Sequence, residues 1–132
     1  MARILVVDNE RDTLEILSIA IRLLGHAPMS AISGKEALDR ISQDPPDLVL
    51  LDYMMPGLDG IETLQRIRKL DAGKNIPTLL VTASSDRSLE ERIAFAGGDG
   101  CVQKPMSLPQ LTEVISRYVQ APVNEYVRRY GT

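Results

Sequence analysis

In LVLLDYMMPGLDG, residues 48–60, an apolar run ends at an acid and is followed by a Pro-Gly turn. The run Leu48–Leu51 has no polar residue on either face, which is typical of a parallel strand buried on both sides. Pro56 and Gly57 are turn residues that end an extended segment. A carboxylate such as Asp52 is unfavourable at the end of a buried strand unless it has a partner or a task. The segment therefore predicts a buried strand with a polar site at its carboxyl end.

Other runs along the chain predict four more strands. Three apolar runs lie at Ile4–Val7, at Thr78–Val81 and, less pronounced, at Cys101–Val102. A fifth, less hydrophobic strand is predicted at Ala27–Ala31. Pro28 places this strand at a sheet edge, because proline donates no hydrogen bond to a neighbouring strand.

Helical segments fill the gaps between the strands. In five segments apolar residues recur three and four positions apart, as on the buried face of an amphipathic helix. Reciprocal capping pairs that mark helix starts are present at Ser33 with Glu36, Ser88 with Glu91 and Ser107 with Gln110. Glycines that favour a left-handed residue at a helix end are present at Gly25, Gly73 and Gly97–Gly98. The alternation predicts a doubly wound α/β domain, with a five-stranded parallel sheet in the order 2-1-3-4-5 and five helices on its two faces.

The composition excludes several classes of protein. The chain has 132 residues, of which 44% are hydrophobic and 25% charged, so we expect one globular domain and not a disordered chain. A formal charge of -3 without a basic cluster argues against direct nucleic-acid binding. With one cysteine, Cys101, and one histidine, His26, neither an internal disulfide nor a zinc cluster is expected. No apolar run is long enough for a leader peptide or a membrane span, so we expect a soluble, cytoplasmic protein.

The composition shifts only after Val119. Pro122 ends the last predicted helix, so the domain is expected to cover residues 1–121. The remaining residues, 122–132, are either a linker stub or a short amphipathic helix, because apolar residues recur there at helical spacing: Val123, Tyr126, Val127 and Tyr130.

Polar residues follow four of the predicted strands. Asp8 follows the first strand and Asp52 the third, while Thr82 and Lys104 follow the fourth and fifth. Ligands bind at the carboxyl ends of parallel strands, and in the order 2-1-3-4-5 the first and third strands are neighbours. All four residues are therefore expected at one edge of the sheet.

This set of residues predicts phosphoryl transfer. Two adjacent carboxylates repel each other unless they share a cation, and Mg²⁺ is the hard divalent ion that such oxygens prefer. Asn9 and Glu10, which follow Asp8, are further oxygen donors at the same edge. The lysine and the threonine would hold oxygens of an anion while Asp52 attacks phosphorus and forms a mixed anhydride.

These motifs resemble the receiver domain of two-component response regulators over nearly the whole chain. The matching stretches are ILVVDNE at residues 4–10, LVLLD at 48–52, MPGLDG at 55–60, Thr82-Ala83 and Lys104-Pro105. The resemblance implies the flavodoxin-like receiver fold and a signalling module, not a dedicated enzyme. It also implies that Asp52 accepts a phosphoryl group from a phosphohistidine on a sensor histidine kinase or a phosphotransfer protein.

The resemblance also implies roles for the other residues of the site. Asp8 and Asp52 would hold Mg²⁺ together with the Met54 backbone carbonyl, and Thr82 and Lys104 would sense the phosphate. Phosphorylation would draw the threonine inward and reshape the face formed by the fourth helix, fifth strand and fifth helix. A downstream effector or output domain would read that face, which is also where a homodimer would form.

Two positions depart from the family pattern. The family usually carries a second acid where this chain has Asn9, an oxygen donor without charge, and Glu10 is the nearest carboxylate that could replace it. The family often carries a tyrosine or phenylalanine where this chain has Cys101, and a cysteine offers no ring that rotates with the state of the threonine. Any signal must then depend on shifts of the backbone and the helices.

Three alternative functions remain open. A degenerate receiver would keep the fold and act by protein contact without phosphorylation. A small phosphohydrolase with an aspartyl-phosphate intermediate, similar to the haloacid-dehalogenase group, would need a second acid two residues after Asp52, where this chain has Met54. A flavodoxin-type flavin binder would need a loop rich in serine, threonine and glycine after the first strand, and this chain has acids there instead.

Overall fold

A computed structural model describes residues 1–84 and 86–119, in which strands and helices alternate along the chain. The strands are β1 (Arg3–Val7), β2 (Ala27–Ala31), β3 (Leu48–Asp52), β4 (Thr78–Thr82) and β5 (Gly100–Gln103). The helices are α1 (Arg11–Leu23), α2 (Gly34–Gln43), α3 (Gly60–Lys69), α4 (Arg87–Phe95) and α5 (Leu108–Tyr118), with a 3-10 helix at Asp71–Gly73. The predicted strands are confirmed, although some ends differ by one residue. The predicted tail, residues 122–132, lies outside the described residues.

The described strands form one parallel sheet in the order β2-β1-β3-β4-β5, which confirms the predicted topology. β2 is an edge strand, as Pro28 indicated. In the middle of the sheet Val7 of β1 is paired with Leu51 of β3. Toward the β5 edge, Thr82 of β4 is paired with Gln103 of β5. Because the strands run in one direction, the residues that follow them meet at a single edge.

The sheet separates two apolar layers, because successive side chains of a strand point to opposite faces. On one face, Leu5, Val49 and Leu80 belong to a cluster that includes residues of α2, α3 and α4. On the other face, Ile4 and Leu50 belong to a cluster that includes residues of α1 and α5. The two clusters cover both sides of β1, β3 and β4, so the strands that lead to the predicted site are held rigidly.

Two of the predicted helix starts are confirmed by side-chain caps. At α5, Ser107 accepts a hydrogen bond from the Gln110 amide, and Gln110 accepts one from the Ser107 amide. At α2, Ser33 accepts from the Glu36 amide, which is one half of the predicted reciprocal pair. Each cap satisfies an amide that has no partner within its helix.

The predicted start of α4 is wrong. Asp86, and not Ser88, is the cap, and its carboxylate accepts from the Leu89 amide at 2.7 Å. A carboxylate at this position also complements the positive end of the helix dipole. Ser88 consequently lies inside the helix.

The predicted left-handed helix ends are confirmed at two glycines and wrong at a third. Gly25 and Gly97 have φ angles of 87° and 97°. Gly73 lies in the 3-10 helix instead, and it is not among the described residues with positive φ. A side chain at Gly73 would place its Cβ 2.3 Å from the Ile67 carbonyl oxygen, so this position needs glycine for its small size.

Arg68 joins the elements around the amino ends of β4 and β5. Its guanidinium makes four hydrogen bonds, to the carbonyl oxygens of Gly73 and Ile76 at 2.8 Å, to that of Gly97 at 2.9 Å and to the Asp99 carboxylate at 3.0 Å. The same Asp99 oxygen accepts from the Thr78 amide at 2.9 Å. The network holds the start of β5 in place. It thereby also helps to position Lys104, which follows the carboxyl end of β5.

We expect Arg68→Met to lower the free energy of unfolding by about 2–4 kcal/mol, because three carbonyl groups and a carboxylate each lose one hydrogen bond together. Urea unfolding measures the change. Arg66→Met, at an exposed position of the same helix, is the matched control and should change stability by less than about 0.5 kcal/mol. Equal stabilities for the two variants would contradict the assigned role of Arg68.

Among the described residues, no helix is both long enough and apolar enough to cross a membrane.

Candidate functional site

Three of the predicted site residues meet at the carboxyl edge of the sheet. The Lys104 Nζ atom lies 3.0 Å from Oδ2 of Asp8 and 3.1 Å from Oδ1 of Asp52. Asp8 follows β1 directly and Asp52 ends the neighbouring strand β3, so the sheet order brings the two carboxylates side by side. Lys104 reaches both acids from the loop after β5.

Burial governs the electrostatics of this cluster. Asp8 and Asp52 are only 2% and 5% exposed. Burial raises the pKa of Asp52, against the lowering effect of the hydrogen bond from Lys104, and the charge of Asp8 raises it further. Burial also opposes the charge of Lys104, but its hydrogen bonds to the two carboxylates and their charges outweigh this effect and raise its pKa. Two buried carboxylates therefore share one ammonium, an arrangement that attracts a further cation.

The two residues after Asp8 do not add a third carboxylate to the cluster. The Glu10 amide donates to Oδ1 of Asp8 at 2.9 Å, while its side chain is exposed. Within residues 1–84 and 86–119, no three Asp, Glu, His or Cys side chains are grouped as a metal site. Asn9 is exposed and is not the cap of α1, since that position is held by Glu10 without a side-chain bond.

Thr82 is buried at the end of β4, where its hydroxyl donates to the Ser84 carbonyl at 2.8 Å. The threonine thus lies at the predicted edge, and its proton is used within the loop between β4 and α4. Met54 is 70% exposed beside the site, and its backbone hydrogen bond to Asp52 offsets a small part of the rise in the pKa of that carboxyl that burial causes.

A cleft of about 200 Å³ opens beside the three charged groups. Its lining joins Asp8, Asp52 and Lys104 to apolar side chains of α1 and of the loop after β5, among them Ile16, Leu17, Pro105 and Met106. This wall was not predicted from the sequence. The strand ends alone did not indicate it, although α1 begins at Arg11, three positions after Asp8.

The donor set suits a hard cation and an anion together. Carboxylate and carbonyl oxygens are the ligands that Mg²⁺ prefers, and the side chains of Asp8 and Asp52 converge closely enough for one ammonium to contact both. The cleft gives a phosphoryl-sized group access to Asp52 beside the positive charge of Lys104. The arrangement can therefore stabilise a negatively charged group at a carboxylate nucleophile.

Comparisons with known proteins place this geometry in a family. Residues 4–116 match the response regulator receiver domain. The response regulator MprA of Mycolicibacterium vanbaalenii is 42% identical over 111 residues, which are 83% of this chain and 46% of the relative. The chain thus spans about half the length of that relative.

Solved structures share the fold. The chemotaxis protein CheY4 of Vibrio cholerae has a TM-score of 0.87 at 24% identity, covering 90% of this chain and 99% of that one. The receiver domain of the sensor histidine kinase PA1611 from Pseudomonas aeruginosa PAO1 has a TM-score of 0.83 at 23% identity, covering 91% and 98%. That structure is described with a magnesium ion coordinated in its active site cleft. This chain therefore belongs to the response regulator receiver domain family, whose members are signalling modules of two-component systems.

Proposed function

We propose that the chain is a phospho-acceptor that receives a phosphoryl group on Asp52 from a phosphohistidine of a sensor kinase or phosphotransfer protein. The observation that carries the proposal is the Lys104 ammonium, which contacts two buried carboxylates at the carboxyl ends of neighbouring strands. A buried acid pair destabilises a fold, so its presence at an open cleft indicates a functional site.

The side chains divide the reaction between them. An oxygen of Asp52 attacks phosphorus, the bond from phosphorus to the donor's imidazole nitrogen breaks, and the electron pair remains on the imidazole. Lys104 neutralises charge on the phosphoryl oxygens, which grows as the bonds change. Apolar side chains of the cleft, including Ile16 and Pro105, would border the resulting acyl phosphate on one side.

A magnesium site belongs to this proposal. Asp8, Asp52, the Met54 carbonyl and the Asn9 amide oxygen would hold the ion, and Glu10 would reach it only if its exposed side chain turned inward. Bound Mg²⁺ would neutralise and orient the phosphoryl oxygens. The described part of the site has two carboxylates and no third acid, so we expect it to bind Mg²⁺ more weakly than a site with three carboxylates.

The signalling role that we propose for this chain is the one typical of receiver domains. Thr82 would exchange its present acceptor for a phosphoryl oxygen, and the face of α4, β5 and α5 would change for a downstream effector, an output domain or a second copy. The module would cover residues 1–121, with 122–132 as a linker or short helix, and it would act in the cytoplasm. It would bind neither nucleic acid nor membrane itself.

A thermal-shift experiment with beryllofluoride, a phosphoryl mimic, tests the proposal. Mg²⁺ and beryllofluoride together should raise the Tm by several degrees more than Mg²⁺ alone, whereas beryllofluoride alone should have little effect, because the anion binds Asp52 only with the ion. One observation favours a second function, a receiver that works by contact alone: no third carboxylate is present in the described part of the site. An unchanged Tm with both ligands would favour that function.

We expect Asn9→Asp to tighten Mg²⁺ binding by about 10-fold, because a third carboxylate adds a charged oxygen beside Asp8 and Asp52. Calorimetric titration with Mg²⁺ measures the affinity directly. Asn75→Asp, an exposed position between the 3-10 helix and β4, controls for the added charge and should leave the affinity unchanged. Equal affinities for Asn9→Asp and the unmodified chain would remove position 9 from the metal site.

A further inference from the structure

Two hydrogen bonds among the described residues of the loop between β4 and α4 are not fully used by the function above. The Thr82 hydroxyl donates to the Ser84 carbonyl at 2.8 Å. The side-chain amide of Gln103 donates to the Ala83 carbonyl at 3.3 Å. Neighbouring carbonyl groups of one loop are thus bound from β4 and from β5.

Gln103 occupies a position that links three parts of the site. It is the register partner of Thr82, and the residue after it, Lys104, donates its backbone amide to the Thr82 carbonyl at 2.7 Å. Its side chain lies on the same face of β5 as that of Cys101, because side chains alternate along a strand. Gln103 also lines a groove of about 470 Å³ between β5 and α5.

We propose that Gln103 couples the β4–α4 loop to β5, and that its bond to the Ala83 carbonyl breaks when Asp52 is phosphorylated. The inference rests on the proposed phosphorylation of Asp52. Gln103 would supply the link from loop to strand for which Cys101 has no aromatic ring.

The coupling follows from the single proton of the Thr82 hydroxyl. A hydroxyl donates one hydrogen bond at a time, so donation to a phosphoryl oxygen releases the Ser84 carbonyl. The carbonyl groups of Ala83 and Ser84 belong to adjacent peptide groups. Reorientation of the Ser84 carbonyl therefore alters the direction of the Ala83 carbonyl. The exposed Gln103 amide then bonds to water instead, which changes the surface of the groove beside β5.

NMR of the ¹⁵N-labelled chain tests the inference through the side-chain amide resonances of Gln103. With acetyl phosphate and Mg²⁺, they should move toward those of Gln65, an exposed residue of α3, while mass spectrometry of the same sample detects phosphate on Asp52. Phosphate on Asp52 with unmoved Gln103 resonances would overturn this inference alone. Absence of phosphate would overturn the proposed function, and the inference with it.

Two variants separate coupling from simple proximity. In Thr82→Val, which cannot bind the Ser84 carbonyl, the Gln103 resonances should already be shifted without phosphate. In Gln103→Met, Asp52 should still take up phosphate, but the backbone amides of Gly100 and Cys101 should lose most of their phosphate-dependent shift. Wild-type shifts in both variants would contradict the coupling.

Discussion

Asp52→Asn should abolish labelling by acetyl phosphate or by a phosphorylated kinase domain, with a rate at least about 1000-fold below that of the unmodified chain. The amide oxygen of asparagine is a far weaker nucleophile than a carboxylate, and no other acid occupies the same position beside Lys104 on β3. Phosphate uptake, followed by intact mass spectrometry, measures the loss. Asp39→Asn, an exposed position on α2, is the matched control and should label normally.

Loss of folding cannot account for this result if the variant is at least as stable as the original chain. Burial raises the pKa of Asp52, so the folded state disfavours its charged form. Asp52→Asn should therefore raise stability without Mg²⁺ at neutral pH. The gain should disappear as the pH falls below the unfolded pKa of an aspartate, because the carboxyl is then neutral in both states. A labelled Asp52→Asn variant would remove Asp52 from its proposed role.

Lys104→Met should have the second largest effect, slowing phosphate uptake by about 100-fold. The methionine keeps an unbranched apolar stem, one atom shorter, but removes the ammonium in contact with both Asp8 and Asp52, so this group no longer neutralises charge on the phosphoryl oxygens. The initial rate of labelling at saturating Mg²⁺ measures this effect.

The same variant should also lose about 2 kcal/mol of stability without Mg²⁺, because two buried carboxylates lose their partner. This is less than the about 3–5 kcal/mol typical of a fully buried pair, since Lys104 retains some exposure. Lys35→Met, at an exposed position on α2, controls for the loss of a lysine and should change neither quantity. Uptake at the original rate by Lys104→Met would exclude the proposed role of the ammonium.

Much of the sheet was predictable, because parallel strands that are buried on both faces consist of continuous runs of apolar residues. Leu48–Leu51 is such a run, and Pro28 correctly indicated the edge strand. The meeting of Asp8, Asp52 and Lys104 followed from the rule that ligands bind at the carboxyl ends of such strands. Local geometry was less accessible: Asp86 and Ser88 are both acceptable caps, and only packing of the loop decides between them.

Contacts within the site loops could not be predicted for a related reason. The bond from the Thr82 hydroxyl to the Ser84 carbonyl and that from Gln103 to Ala83 depend on backbone directions that no periodic pattern encodes. The exposed side chain of Glu10 is another such case. The Glu10 amide, and not its carboxylate, contacts Asp8, because the Asp8 side chain accepts a hydrogen bond from the amide of the second residue after it.

The most direct test of the central claim is chemical trapping of the modified residue. Acetyl phosphate and Mg²⁺ are added to the chain, borohydride then reduces any acyl phosphate to an alcohol, and peptide mapping by mass spectrometry locates the change. We predict conversion of Asp52, and of no other acid, to homoserine, with no conversion when Mg²⁺ is removed by a chelator. Conversion at another carboxylate, or an unchanged Asp52 in the presence of Mg²⁺, would contradict the account.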